Sequence, residues 1–180
     1  ETCLRTLVLS AHEHYEDCPW REQALYAMDS RSQILCGYYA FGEYDMARES
    51  IRLLSGGLRE DGLLELCAPA KVNVTIPSFS LIWIIELYEY VMYSGDLHFA
   101  SEMWPCAEKI IRTFWRNAKG RDLQAPMNEP GYWNFYEWSQ GLSDGFSSNL
   151  RNKNDYRNFD GPLSVYYILA LHAMIKIAKF

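Results

Sequence analysis

Three observations predict an all-α fold. About six segments carry apolar residues at helical spacing, turns containing glycine join most of them into hairpins, and no strand-rich alternation occurs. The chain has 180 residues, and 49% of them are hydrophobic, enough for one domain with a sizeable core. A net charge of −6, with acidic and basic residues interspersed, argues against nucleic acid or an anionic membrane surface as partner. No apolar run is long enough to span a bilayer. The chain opens on Glu1 rather than Met and is expected to be processed or part of something larger.

Taken in order, Thr2 to Tyr15 reads as an amphipathic helix through Leu4, Leu7, Val8, Ala11 and Tyr15. Within it, His12-Glu13-His14 is not expected to bind metal, because helical residues two apart face different ways and the spacing of zinc hydrolases is missing. His14 instead suits a helix C-terminus, or supports the acidic run that follows. Ser30 to Phe41 is the next helix, closed by Gly42. Asp45 to Ser55 follows and completes an αα-hairpin. Arg59 to Pro77 is a long connection, either short strands or an extended excursion, and loops of that length are often functional. Ser78 to Tyr93 is apolar nearly all round and is expected to be buried on most sides. Leu97 to Ala118 makes the second hairpin, with Pro105 predicting a kink or a late start. Gly120 to Asp160 is irregular, with Gly141 and Gly145 among its turn residues, and Pro162 to Phe180 is a last helix.

Six Trp and 13 Tyr exceed what a core of this size requires, and residues with an apolar body and a polar tip suit sugars. Five widely spaced cysteines, Cys3, Cys18, Cys36, Cys67 and Cys106, suggest reduced thiols and favour a cytoplasmic setting. Asn73-Val74-Thr75 is formally a glycosylation sequon whose use is not expected.

The densest chemistry lies in Glu16 to Arg31, a helix-to-helix connection in which Pro19 forces the preceding helix to end before it. Glycoside hydrolysis needs one protonated and one ionised carboxyl across the bond. If the fold gathers Asp17, Glu22 and Asp29, like charges raise the proton affinity of the least solvated one. Arg21 can oppose that shift or clamp a carboxylate, and Trp20 and Tyr26 offer ring faces to a sugar. The residues alone favour a plainer reading, with Asp17 as the cap of the next helix and Arg21–Glu22 as a surface ion pair. A second cluster, Trp133 to Trp138 with Glu137 inside it, can line a cleft or can simply pin its own loop.

Asp17-Cys18-Pro19-x-Arg21-Glu22, with Asp29 two helical turns on, resembles the catalytic signature of glycoside hydrolase family 78, the α-L-rhamnosidases. The resemblance implies an (α/α)6 toroid, of which residues 1–180 would be about half of a single catalytic domain. It implies inverting hydrolysis of terminal α-L-rhamnosides or a related sugar, without a cofactor. Glu22 becomes the general acid, Asp17, Arg21 and Asp29 the sugar-holding residues, and Trp20, Trp133, Glu137 and Trp138 further contacts. The general base is then expected downstream, in the remainder of the enzyme, and the chain alone is expected to be inactive. The open flank of a half-toroid should also expose apolar helix faces. Many members carry Trp and Gly where this chain has Tyr26-Ala27-Met28, a difference that reshapes the pocket floor. The alternatives are a non-catalytic carbohydrate-binding or scaffold module of the same fold, or a lyase or epimerase.

Overall fold

The computed structural model describes residues 1–118, 123–127, 130–139, 142 and 159–180. Six helices order it: α1 Thr2–Leu9, α2 Ala27–Phe41, α3 Asp45–Gly56, α4 Pro77–Ser94, α5 Leu97–Ala118 and α6 Gly161–Ile177. Among the described residues, β-structure amounts to isolated bridges only. Gly141 and Gly145 lie outside the described residues. No described helix is long and apolar enough to cross a membrane.

The two boundaries that flank the carboxylate run depart from the sequence expectation. α1 stops at Leu9, not Tyr15, because Tyr15 has better partners elsewhere. Its amide donates to Ser50 Oγ at 3.3 Å, its side chain is 3% exposed, and Glu16 N returns to Ser10 O at 2.8 Å to close a tight turn. α2 begins at Ala27 rather than Ser30, which puts Asp29 in its first turn. α5 keeps its expected bounds, Leu97–Ala118, with Pro105 inside it, so the helix does not start late there. The 59–77 connection is an extended excursion, tied by the bridges Leu58–Leu64, Leu25–Ala68 and Thr75–Tyr132.

The turns are built from local chemistry. Gly42 and Gly95 end α2 and α4 in the left-handed region, at φ 61° and 73°, where a Cβ would be strained. Asp96 Oδ1 accepts from Phe99 N at 3.0 Å and starts α5. Asp160 caps α6 in the same way through Leu163 N. The result is two αα-hairpins, α2–α3 and α4–α5, with α1 before them and α6 after.

Cross-contacts fix the directions. Tyr26 meets Phe79, Ser30 meets Glu86, Arg31 meets Glu89 and Tyr39 meets Tyr93, so α2 and α4 run parallel. The N-terminal end of α5, at Leu97 and Ala100, lies beside Ile177 and Phe180 at the C-terminal end of α6. Phe114 near the other end of α5 packs on Tyr167. α6 is therefore antiparallel to α5 and parallel to α4. Helices α2, α4 and α6 form one layer, with all three N-termini at the same end. α3 and α5 form part of a second layer, joined by Arg48–Asp96 and Arg52–Glu102.

α4 is the centre of the core. Leu81, Trp83, Ile84 and Leu87 have no exposed surface, and Trp83 Nε1 donates to Ile51 O at 2.9 Å. Exposed apolar residues collect on α6, at Val165, Ile168, Leu169 and Ile175, while α1 buries none of its residues. The arc thus exposes apolar side chains along one flank.

One carboxyl inside this core matters for stability. Glu86 is wholly buried, accepts a 2.7 Å hydrogen bond from Ser30 Oγ, and leaves Oε2 without a partner. Burial pushes its pKa up to about 8, and the Glu89 charge adds to the rise, while the Ser30 bond and Arg31 oppose it. Arg31 is itself occupied by Glu89 through a forked pair at 2.8 and 2.5 Å.

Two predictions follow from the packing. The folded state holds the Glu86 proton to higher pH than the unfolded chain, so this group's contribution to stability is full below the ordinary carboxylate range. It is lost as pH rises towards about 8. Glu86→Gln should flatten that decline, visible as a smaller fall in Tm between acidic and mildly alkaline buffer. Trp83→Ala should cost about 3–5 kcal/mol in urea unfolding, through lost burial and the cavity left behind.

Candidate active site

The carboxylate run leaves regular structure between Tyr15 and Ala27, and two pairs of hydrogen bonds give it shape. Asp17 N donates to Ala24 O, and Ala24 N donates to Asp17 Oδ1, both at 2.9 Å. This pair closes residues 18–23 into a projecting loop. One residue later, Leu25 and Ala68 exchange backbone bonds at 3.2 and 3.0 Å, which anchors the loop's exit to the 59–77 excursion. Leu25 itself is fully buried. Gln23 adopts φ 54°, an unusual conformation for a residue with a side chain, as the chain turns back.

Glu22 sits on the exposed side of this loop. Its amide rests on Cys18 Sγ at 3.4 Å, and its Oε2 accepts from Tyr26 Oη at 3.0 Å. Asp29, in the first turn of α2, faces the same region. Its pKa is raised, first by burial, then by the Asp17 charge and to a smaller degree by Glu22, against the lowering effect of its own backbone N–H. The three carboxylates do come together. The one whose proton affinity is seen to rise is Asp29, the part-buried member.

Tyr26 and Cys67 share this field. Burial raises the Tyr26 hydroxyl well above its ordinary range, helped by its bond to Glu22 and by the charges of Cys67, Glu22 and Asp17. Burial also raises the Cys67 thiol, followed by Glu65, Asp17 and Glu22. Sequence reading took Tyr26 only as a ring face. Its position four residues after Glu22 was the signal for a direct contact. Cys67 comes from the long excursion, and no local pattern connects it to Glu22.

Other expected residues are placed as follows. Trp20 is 90% exposed at the tip of the loop. Arg21 is exposed, and among the described residues no ion pair joins it to Glu22 or to another carboxylate. His14 lies well past the end of α1, and its Nδ1 bonds Tyr15 O at 2.9 Å, so it neither caps that helix nor reaches the three carboxylates. His12 is the histidine that meets an acid, Glu16, at 2.8 Å.

Trp133, Phe135 and Trp138 pack on one another, with ring centroids 4.7 to 5.8 Å apart. The segment is pinned where Thr75 exchanges 2.8 Å bonds with Gly131 O and Trp133 N, and where Ser78 Oγ donates to Phe135 O. Trp133 is buried, whereas Trp138 is 73% exposed and Glu137 accepts from the Trp138 amide at 2.6 Å. Both clusters stand at the start of α4: Ser78 holds the aromatic segment, and the neighbouring Phe79 packs edge-on against Tyr26, centroids 6.4 Å apart. A cleft of about 1310 Å³ runs along residues 53–73 and meets the carboxylate loop only through Cys67 and Ala68.

A projecting loop with three mutually repelling carboxylates, beside an aromatic segment at the N-terminal end of parallel helices, is chemically suited to proton donation to a polyhydroxylated ligand. Comparison with known proteins bears on this arrangement. The chain is similar to a rhamnosidase of glycoside hydrolase family 78 from Bacillus sp. GL1, with a TM-score of 0.81 and 23% identity over 97% of this chain and 17% of that one. It is also similar to a rhamnosidase from Klebsiella oxytoca solved with rhamnose bound, with a TM-score of 0.65 and 21% identity over 96% of this chain and 36% of that one. The chain therefore spans well under half the length of either solved protein. At these identities the likeness is one of fold, and it identifies the arc of helices as part of an (α/α)6 toroid. A search of the curated proteins found no match. The family model described as the bacterial alpha-L-rhamnosidase 6 hairpin glycosidase domain matches residues 1–180, and the chain belongs to that family.

Proposed function

We propose that this chain is the acid-bearing part of an inverting glycosidase acting on terminal α-L-rhamnosides or a closely related sugar. The observation that carries the proposal is the convergence of Asp17, Glu22 and Asp29 at the end of the helical arc where the aromatic segment also lies. Glu22, the accessible carboxyl, donates its proton to the glycosidic oxygen as that oxygen takes the electron pair of the breaking C–O bond. Water attacks the opposite face of the sugar, and a carboxylate from outside residues 1–180 removes its proton. Such a pair stands roughly 6.5–9.5 Å apart in inverting enzymes.

Asp17, Arg21 and Asp29 hold sugar hydroxyls. Asp29, whose proton affinity is raised by burial and then by the Asp17 charge, presents its oxygens to them as acceptors. Arg21, exposed on the loop, presents its guanidinium donors to the ligand. Trp20 and Trp138 offer apolar faces at the rim, the buried Trp133 backs Trp138 from behind, and Glu137 adds a carboxylate beside them. On this reading residues 1–180 are one part of a single catalytic domain, the substrate is a carbohydrate, and the rest of the enzyme completes the site. The coverage of 17% and 36% of the two solved rhamnosidases supports a partial module.

The test is hydrolysis of an aryl α-L-rhamnoside beside a panel of other aryl glycosides, by the complete protein and by residues 1–180 alone. Activity is expected in the complete protein only. There, Glu22→Gln should lower kcat on a rhamnoside with an unactivated leaving group by about 10²–10⁴-fold while leaving ligand binding intact. Unchanged turnover would remove Glu22 from the role of acid. No hydrolysis of any glycoside, together with retained sugar binding, would move the assignment to a binding module.

A further inference from the structure

Glu22 has an unusual setting for a proton donor. It stands on an exposed loop, where a long side chain loses rotamer freedom only if something holds it. Among the described residues, the one side-chain group that bonds its carboxyl is the Tyr26 hydroxyl, at 3.0 Å on Oε2. Tyr26 itself is firmly mounted. It directly follows Leu25, whose backbone is paired with Ala68, and directly precedes the first turn of α2. Its ring is part-buried and packs edge-on against Phe79. Glu22 is thus carried by an exposed loop, while the group that restrains its carboxyl stands where that loop joins α2.

We infer that Tyr26 is a positioning residue for proton donation: its hydroxyl occupies Oε2 of Glu22, so the transferable proton resides on Oε1 and faces the leaving oxygen. This rests on the reading of Glu22 as the acid. The chemistry is self-consistent. The proton leaves Oε1 for the glycosidic oxygen, and the C–O electron pair goes to that oxygen. The negative charge left on Glu22 is met by a hydrogen bond that strengthens as the charge develops. The Tyr26 hydroxyl is suited to the task, because burial and the surrounding acids keep it protonated, so it remains a donor throughout. It does not need to touch the sugar.

The experiment uses the complete protein and two α-L-rhamnosides, one with a nitrophenol and one with a simple alcohol as leaving group. Nitrophenolate departs with little protonation, whereas an alkoxide departs only when protonated. Tyr26→Phe keeps the ring on Phe79 and removes only the hydroxyl. It should lower kcat on the alkyl rhamnoside by about ten- to a hundredfold with KM nearly unchanged, and should affect the nitrophenyl rhamnoside several-fold less. Equal losses on the two substrates would mean a purely structural role, and no loss on either would mean no role; both overturn the inference. Glu22→Gln is run alongside. If that variant still hydrolyses the alkyl rhamnoside, or if the unsubstituted protein hydrolyses neither substrate, the acid assignment itself fails. If Glu22→Gln is inactive on the alkyl substrate and Tyr26→Phe is unimpaired, only the inference about Tyr26 falls.

Discussion

A helix that is apolar on nearly every side has no stable place except between other elements. α4 is such a helix, and the architecture follows from covering it. α2 and α6 lie along it in the same direction, and α3 and α5 close over it from the second layer. Its few polar residues decide the register of that cover. Glu86 can be buried only opposite Ser30, and Glu89 finds its forked partner in Arg31, so α2 cannot slide along α4 without stranding a buried carboxyl. The same register brings the first turns of α2 and α4 to one level. That is where Tyr26 meets Phe79, and where both functional clusters stand.

The carboxylate loop shows how a fold tolerates charge repulsion without neutralising it. Among the described residues, no ion pair joins a cation to Asp17, Glu22 or Asp29, although Arg21 is adjacent to Glu22 in sequence. Each acid is held instead by a neutral donor: Asp17 by the Ala24 amide, Glu22 by the Tyr26 hydroxyl, and Asp29 by its place in the first turn of a helix, where backbone N–H groups are unspent. Neutral donors leave the negative potential of the site in place. On the proposed reading, sugar hydroxyls, which are donors themselves, would meet acceptors that are fixed in geometry yet keep their charge.

Much of this was legible in the sequence. Periodicity located six helices, and Gly42 and Gly95 marked the hairpin turns. The acidic run was recognisable by its content and by the motif from Asp17 to Glu22. The misjudged boundaries share one cause, tertiary contact overriding local preference. Tyr15 continues the apolar stripe of α1, yet its hydroxyl and amide are claimed by α2 and α3. Asp29 reads as a loop residue until Leu25 pairs with Ala68 and lets α2 begin at Ala27. That pairing joins residues far apart in sequence through an irregular excursion, and no local pattern announces it. The aromatic surplus was partly structural: Tyr38, Tyr44 and Tyr93 stack together away from the carboxylates.

The seat of Tyr15 has a consequence for how this sequence can vary. A Cβ placed on Gly37 would come within 2.4 Å of the Tyr15 hydroxyl, so a glycine on α2 forms the socket for a ring that ends the turn after α1. The two positions are coupled: a side chain at 37 must displace the hydroxyl end of Tyr15, and a smaller residue at 15 leaves that space empty. Glu16 and Asp17 come directly after that ring. Drift at a helical glycine remote from the chemistry is therefore transmitted, through a single packed pair, to the first carboxylate of the site, and the two positions are expected to covary in homologous sequences.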